Sequence, residues 1–154
     1  MSGYVAVIGP GEGATDQDLA DAHRAGTLLA EAGVVVITGG LGGVMATVAR
    51  GARDAGGMSV GLLPSSQRGD GDPAHTVLLP TGLGELRNGL VVRAADAVLA
   101  VGGSWGTLSE VALAVRVGTP VVAVRSWELP AGSVEVAPDI EVAVASVLRL
   151  LAPR

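Results

Sequence analysis

Apolar residues occur along this chain in short continuous runs instead of alternating with polar ones. The runs have the length of β-strands, and stretches of helical spacing and glycine-rich turns separate them. Strands buried on both faces of a parallel sheet have this continuous pattern, because neither face meets water. The pattern predicts six strands, at Tyr4–Ile8, Val34–Thr38, Ser59–Leu63, Thr76–Leu79, Ala97–Val101 and Pro120–Val124.

The segments between the strands carry apolar residues at helical spacing. In the first of them, Leu19 and Leu29 lie on one apolar stripe. Thr15 and Asp18 have the spacing of a capping box, and Gly33 is placed to end the helix. The spacing predicts five helices, at about Asp16–Ala32, Val44–Ala55, Leu86–Ala94, Thr107–Arg116 and Ile140–Leu151.

The alternation of strands and helices predicts an α/β fold. We expect a doubly wound, mainly parallel sheet with helices on both faces and right-handed crossovers. The chain has 154 residues, the length of one domain. No linker or internal repeat divides it, so we expect residues 1–154 to form a single domain. Residues 64–75, rich in Gly, Asp, Pro and Ser, are expected to form a polar loop.

Composition excludes several classes of function. The net charge is −5 and no basic cluster occurs, which argues against nucleic-acid binding. No apolar stretch is long enough to span a membrane, so we expect a cytoplasmic protein without a membrane partner. The sequence contains no lysine, which excludes a Walker P-loop and a pyridoxal Schiff base. With no cysteine and only two histidines, no metal site is expected.

Three glycine-rich turns follow predicted strands and begin at Gly9, Thr38 and Gly102. In an open parallel sheet such turns lie at the carboxyl edge, where ligands bind near the topological switch point. A glycine turn that enters a helix presents free backbone N–H groups and the positive end of the helix dipole. Together, the three turns predict a ligand that carries a phosphate.

Two other interpretations of these turns fail. The first turn has the spacing G-x-G-x-G, and no acidic residue follows the second strand, so a standard nicotinamide site is not expected. Gly102, Ser104 and Gly106 match the nucleophile elbow of serine hydrolases. No histidine follows Ser104, however, so the triad order of that fold is not met. We therefore expect the Ser104 hydroxyl to face a ligand oxygen.

Glu110 and Arg87 are candidates for convergence on one pocket. Glu110 lies in the first turn of the predicted helix 107–116, and Arg87 lies at the start of the preceding predicted helix. Both helices begin at the ligand edge of the sheet. Alone, a glutamate at this position would gain only from the helix dipole. Beside an arginine, it is expected to stay ionised.

Three segments resemble signature blocks of the LOG family, whose members are cytokinin-activating phosphoribohydrolases. They are TGGLGGVM at 38–45, RNGLVVRAADAVLAVGG at 87–103 and GSWGTLSE at 103–110. The resemblance implies a Rossmann-like nucleotide-binding fold and a homodimer. It also places the family's catalytic arginine at Arg87 and the glutamate of its G-T-x-x-E motif at Glu110.

Two positions depart from the pattern of the LOG family. Ser104 replaces a glycine of the P-G-G-x-G-T block, and Asn88 replaces the lysine that usually follows the arginine. These departures and the short chain resemble a compact bacterial branch. That branch is similar to the molybdenum-cofactor carrier proteins and, more distantly, to the DNA-processing protein DprA.

The leading hypothesis is a nucleotide-binding protein that hydrolyses the N-glycosidic bond of a nucleoside 5′-monophosphate to free base and ribose 5-phosphate. Glu110 would stabilise positive charge developing on the sugar, Arg87 would hold phosphate or ribose oxygens, and no cofactor would be required. The alternative is a non-catalytic carrier or sensor that binds molybdenum cofactor as cargo, or a signalling nucleotide. The predicted phosphate- or nucleotide-binding residues are Gly39, Gly40, Gly42, Gly43, Gly103, Ser104, Trp105, Gly106 and Thr107. Further contacts are predicted at Gly9, Gly11, Met45 and Asn88.

The predicted homodimer has two candidate faces. Residues 44–49 and 108–115, after Gly43 and Gly106, are rich in Val, Ala and Leu and contain few charges. Such faces pack either in the core or against a second chain.

Overall fold

The seven strands form one parallel sheet in the computed structural model, which describes residues 3–153. The order in the sheet is β4-β3-β2-β1-β5-β6-β7, and every neighbouring pair is parallel. The strands are β1 Tyr4–Ile8, β2 Val35–Thr38, β3 Ser59–Leu63, β4 Val77–Pro80, β5 Ala97–Val101, β6 Val121–Val124 and β7 Glu135–Val136. The predicted doubly wound α/β sheet is confirmed.

Five α-helices connect or follow the strands. They are α1 Asp16–Glu31, α2 Val44–Asp54, α3 Arg87–Arg93, α4 Trp105–Val117 and α5 Ile140–Leu151. Both halves of the capping box between Thr15 and Asp18 are present. Helix α4 begins two residues before its predicted start, because the side chain of Ser104 caps it. Among residues 3–153, no helix has the length and apolarity needed to cross a membrane.

The helices cover the two faces of the sheet in separate layers. On one face, α1, α2 and α5 pack on Val5 and Val7 of β1. On the other face, α3 and α4 pack on Ala6 and Ile8. Residues 44–49, one of the two candidate dimer faces, lie mainly in the first of these cores, where Val44 and Val48 are fully buried. That face is therefore used within the protomer.

The outer strands β3 and β4 depart from the predicted burial on both faces. Burial alternates along β3, and none of the residues of the edge strand β4 is fully buried. An edge strand lacks a neighbour on one side, so apolar residues there remain partly exposed. Strand β7 was not predicted, because its two residues, Glu135 and Val136, are both exposed and carry no apolar run.

The strand order places the topological switch between β1 and β5. From β1 the chain winds outward through β2 and β3 to β4, and then returns to the other side of β1 as β5. The helices that follow β1 and β5 therefore leave from opposite faces of the sheet. A crevice forms there at the carboxyl ends of the strands, and all three glycine-rich turns lie at this edge.

Candidate functional site

A cavity of about 130 Å³ opens at the carboxyl edge, between the first turns of α3 and α4. All but two of the residues that line it belong to the predicted site; the exceptions, Val7 and Ile8, come from β1. The lining residues are Val7, Ile8, Gly9, Gly11, Gly39, Met45, Arg87, Asn88, Ser104, Gly106, Thr107 and Glu110. Residues from four separate segments of the chain therefore converge at one place.

Most of the second glycine turn lies outside the lining of this cavity. Of the four glycines predicted there, only Gly39 lines it, and Gly40, Gly42 and Gly43 do not. The Gly40 N–H donates to the Thr38 hydroxyl at 2.9 Å. At the start of α2, the Val44 N–H donates to the Pro10 carbonyl at 3.0 Å. These N–H groups hold the turn in place and are not free for a ligand.

The start of α4 has free backbone N–H groups at this edge. Ser104 is its N-cap, and its hydroxyl accepts the Thr107 N–H at 3.2 Å and lies 2.9 Å from the Thr107 hydroxyl. The N–H groups of Trp105 and Gly106 have no acceptor among residues 3–153. Two free donors and the helix dipole therefore favour an anion at this point. Ser104 and Thr107 face the cavity, so Ser104 both caps the helix and lines the site.

Arg87 joins three parts of the site through its guanidinium group. Its Nε donates to the Leu62 carbonyl at the end of β3 at 2.9 Å. One terminal nitrogen donates to the Gly39 carbonyl at 3.2 Å, and the other donates to the amide oxygen of Asn88. The side chain is buried. A Cβ on Gly39 would lie 2.6 Å from an Arg87 nitrogen, so a larger residue there would displace the guanidinium group from its present position.

Glu110 lines the same cavity as Arg87, as predicted, but the two side chains are not in direct contact as an ion pair. Among residues 3–153 no ion pair joins the two side chains. Burial raises the pKa of the Glu110 carboxyl to about 7, and this outweighs the opposite influence of the Arg87 charge. The expectation that Arg87 keeps Glu110 ionised is wrong at neutral pH, because burial raises the pKa of the carboxyl more than the Arg87 charge lowers it.

A buried histidine that sequence analysis passed over supports the second turn. His75 Nε2 lies 2.6 Å from the Thr38 hydroxyl, and His75 Nδ1 lies 3.0 Å from the Asp72 carbonyl. Because the Asp72 carbonyl can only accept, Nδ1 carries the ring hydrogen, and in the neutral ring Nε2 accepts the proton of the Thr38 hydroxyl. The Asp72 N–H in turn donates to the Gly40 carbonyl at 2.9 Å. These hydrogen bonds hold the predicted polar loop, residues 64–75, against the second glycine turn.

We expect His75 to make the folded state sensitive to acid. Burial lowers the pKa of His75 below its usual 6.5, so below about pH 6.5 the unfolded chain binds a proton that the folded chain does not. Stability is then lost as pH falls, by up to about 1.4 kcal/mol per pH unit for one group. Urea unfolding of the natural protein and of His75→Gln from pH 8 to pH 5 should show this loss as a difference between the two proteins, because Glu110 contributes equally to both. If the free energies of unfolding of the two proteins change equally with pH, this role of His75 is contradicted. The difference between the two free energies at pH 8 measures the lost hydrogen bonds.

An ion-pair cluster anchors the back of the third turn. Arg125 follows β6 with a φ of +48°, and its guanidinium pairs with Asp21 at 2.6 Å and with Asp18 at 3.2 Å. Gly102 packs on the Asp18 carboxylate, where a Cβ would come within 2.8 Å of an oxygen. Both carboxylates are buried. No motif pointed to these contacts, since they join residues more than eighty positions apart.

The two tryptophans of the chain meet beside the third turn. The Trp127 ring N–H donates to the Ser104 carbonyl at 2.8 Å, and a Cβ on Gly103 would lie 3.2 Å from the same ring. The rings of Trp105 and Trp127 have centroids 4.9 Å apart, tilted by 40°. Gly103 and Trp105, both predicted to bind phosphate, therefore lie against Trp127 and outside the cavity lining.

A family model and a related protein each match most of this chain. The model of the SLOG cluster4 family matches residues 2–147. An Archaeoglobus fulgidus protein described as uncharacterized is 40% identical over 121 residues, which is 79% of each chain.

Two solved structures are similar over nearly the whole chain. The molybdenum cofactor binding protein of Rippkaea orientalis is 34% identical, with a TM-score of 0.92 over 99% of both chains. The molybdenum cofactor carrier protein of Chlamydomonas reinhardtii is also 34% identical, with a TM-score of 0.90 over 99% of this chain and 100% of that one. Helicobacter pylori DNA processing protein A shares the fold, at 19% identity and a TM-score of 0.73 over 95% of this chain and 80% of that one.

Proposed function

This chain belongs to the SLOG cluster4 family, and we propose that it is a non-catalytic carrier of molybdenum cofactor or a closely related phosphorylated pterin. The observation that carries the proposal is its similarity, over 99% of its length, to two proteins described as binding or carrying that cofactor. The cargo is held as a ligand and is not consumed. The same similarity favours cargo binding over hydrolysis, the leading hypothesis from the sequence.

The phosphate of the cargo is proposed to lie at the start of α4. The free N–H groups of Trp105 and Gly106 and the hydroxyl of Thr107 face an anion there, in the favourable field of the helix dipole. The buried charge of Arg87 lies across the same cavity. Gly9 and Gly39 also line this cavity.

The size of the cavity limits what it can enclose. At about 130 Å³, it is smaller than the roughly 300–1,000 Å³ of sites that hold a whole drug-sized ligand. A phosphate and its attached carbon atoms can occupy it. The ring system of a pterin must therefore extend beyond it.

Hydrolysis of a nucleoside 5′-monophosphate is the second candidate, and Glu110 is the observation that favours it. A carboxyl group with a pKa of about 7 is matched to general acid or base work at neutral pH. It lines the same cavity as the proposed phosphate site. A buried acid that is half protonated at neutrality is, however, a weaker electrostatic partner for a positively charged sugar than the fully ionised carboxylate expected from the sequence.

One purified sample can decide between the two functions. The protein is incubated without oxygen with molybdenum cofactor released from a molybdoenzyme, and is then passed over a sizing column. The carrier function predicts that the pterin elutes with the protein, detected by its fluorescence after oxidation. A second aliquot is incubated with a panel of nucleoside 5′-monophosphates and analysed by chromatography, where the carrier function predicts no free base. Release of base and ribose 5-phosphate that Glu110→Gln abolishes would establish the hydrolase instead.

We also propose a homodimer formed through the outer face of α4. With residues 44–49 in the core, this is the remaining candidate face. It is an apolar cleft lined by Leu108, Ala112, Val115 and Leu129, and Val115 is partly exposed.

The dimer predicts a simple change of mass. Light scattering should give twice the chain mass of 15.2 kDa for the natural protein. Val115→Arg places a charge in the centre of the proposed contact and should give the mass of one chain without loss of helix content. A natural protein that is monomeric at micromolar concentrations would contradict the dimer.

A further inference from the structure

A second depression lies beside the cavity, on the outer side of the sheet between α3 and α4. Its volume is about 380 Å³, within the range of sites that hold small organic ligands. Leu86, Trp105 and Leu113 form its apolar wall, and Asn88 and Ser109 give it a polar edge. We refer to these five residues as the α3–α4 groove.

Trp105 is the most unusual side chain of this groove. The chain has two tryptophans, one tyrosine and no phenylalanine, yet Trp105 is 77% exposed. Its contact with Trp127 leaves most of the ring open to solvent. Leu86, on the other side of the groove, is 78% exposed. Large apolar side chains exposed together at a concave surface mark a binding site.

The ring of Trp105 is held in position before any ligand arrives. Trp127 is fixed by its hydrogen bond to the Ser104 carbonyl, and Trp105 packs on Trp127. Trp105 is also the first residue of α4, directly after the Ser104 cap. A fixed aromatic surface loses little entropy when a flat ring stacks on it.

The groove and the cavity are neighbouring compartments of one site. Asn88 and Gly106 line both of them. The side-chain amide of Asn88 accepts from Arg87 on the cavity side and donates to the Ser109 hydroxyl at 3.2 Å on the groove side. Trp105 directly precedes Gly106 in the chain, so a ligand whose phosphate contacts the Gly106 N–H lies next to the Trp105 ring.

We propose that the α3–α4 groove binds the flat, nitrogen-rich ring system of the cargo, with Trp105 as its stacking surface. The proposal rests on the proposed carrier function and adds the place where the pterin ring lies. An aromatic face suits a fused heterocycle, and Asn88 and Ser109 offer hydrogen bonds to its edge. The class of ligand is a fused-ring heterocycle whose phosphate lies a few bonds from the ring.

The groove is distinct from the proposed dimer face. Trp105, Ser109 and Leu113 follow one another at i, i+4 spacing and line the groove, whereas Leu108, Ala112 and Val115 line the other cleft. Residues at i, i+4 spacing share one side of a helix, and the two sets are offset by one position, which is about 100° around the helix axis. The polar edge at Asn88 and Ser109 also fits a small heterocycle better than an apolar helix of a second chain.

Calorimetric titration with two probes tests the proposal. Ribose 5-phosphate reports the phosphate compartment alone, and a pterin monophosphate with its phosphate on the side chain reports both compartments. Trp105→Ala should weaken binding of the pterin monophosphate about tenfold, in line with aromatic stacking onto heterocyclic bases, and leave ribose 5-phosphate within twofold of the natural protein. Trp105→Phe should restore most of the loss. Tyr4→Ala, a matched truncation of an aromatic residue 48% exposed on β1 and outside both compartments, should change neither affinity.

A fluorescence experiment gives an independent readout. In Trp127→Phe, Trp105 is the only tryptophan of the chain. Its emission should be quenched by the pterin monophosphate and unchanged by ribose 5-phosphate.

Three results would overturn the groove proposal and leave the carrier function intact. The natural protein would bind the two probes with equal affinity. Alternatively, Trp105→Ala would bind the pterin monophosphate as tightly as the natural protein does, or would bind both probes more weakly by the same factor. Conversion of a dimer to a monomer by Trp105→Ala would show that a second chain covers the groove. A natural protein that binds neither probe would refute the carrier function itself, and the groove proposal with it.

Discussion

Glu110→Gln is expected to stabilise the protein relative to the natural chain as the pH rises from 5 to 8. The pKa of Glu110 is raised from 4.5 to about 7, so between these values the folded state holds a proton that the unfolded state has lost. The contribution of Glu110 to stability is therefore complete below about pH 4.5 and is lost as the pH rises through 7. The loss amounts to about 3 kcal/mol by pH 8, and glutamine does not undergo it.

The measurement is urea unfolding of both proteins at pH 5, 6, 7 and 8. The difference between the two free energies of unfolding should move in favour of the glutamine variant by about 3 kcal/mol across this range. Any effect of the amide on packing appears at pH 5 and is subtracted. A constant difference would show that the carboxyl of Glu110 titrates normally and that the site is more open to water than its burial indicates.

The same variant separates the two functions. In a carrier, ionised Glu110 repels a phosphate dianion in the same cavity, so the natural protein should lose affinity above pH 7 and Glu110→Gln should not. In a hydrolase, the carboxylate acts chiefly in the transition state, so Glu110→Gln should lose turnover and keep binding.

Arg87→Ala is expected to remove ligand binding and to lower the free energy of unfolding by about 3 kcal/mol, because buried hydrogen-bond acceptors lose their donor. The Leu62 and Gly39 carbonyls would lose the donors that now hold β3 and the second turn beside α3. The cavity would also lose the buried positive charge of Arg87. For a ligand bound through a phosphate, we expect the affinity to fall at least one hundredfold, since charge-assisted hydrogen bonds are the strong ones.

Arg87→Lys is the matched control for charge. An ammonium group restores the positive charge, but it cannot match the geometry of the guanidinium fork that reaches Leu62 and Gly39. The stability of Arg87→Lys and its affinity for the ligand should lie between those of the natural protein and those of Arg87→Ala. Calorimetry and urea unfolding of the three proteins at pH 7 give both quantities. Arg87→Ala with unchanged ligand affinity would exclude Arg87 from the binding site.

The features that could be predicted from the sequence depend on contacts between near neighbours in the chain. The capping box of Thr15 and Asp18 joins residues three positions apart, and the buried strands each carry their own apolar run. The convergence of Arg87 and Glu110 on one cavity could also be predicted, because parallel strands place the turns that follow them at a common edge of the sheet.

The parallel α/β sheet, the ends of most helices and the convergence of Arg87, Glu110 and the glycine turns could be predicted, because apolar periodicity, capping and strand direction act locally or follow from the order of elements. The three-dimensional packing of the chain sets the protonation of Glu110, which depends on how deeply neighbouring segments bury it. It also decided which carbonyls Arg87 contacts, the link from His75 to Thr38 and the pairing of Trp105 with Trp127. Burial and hydrogen bonding at these positions come from residues distant in the chain, and no spacing along the sequence encodes them.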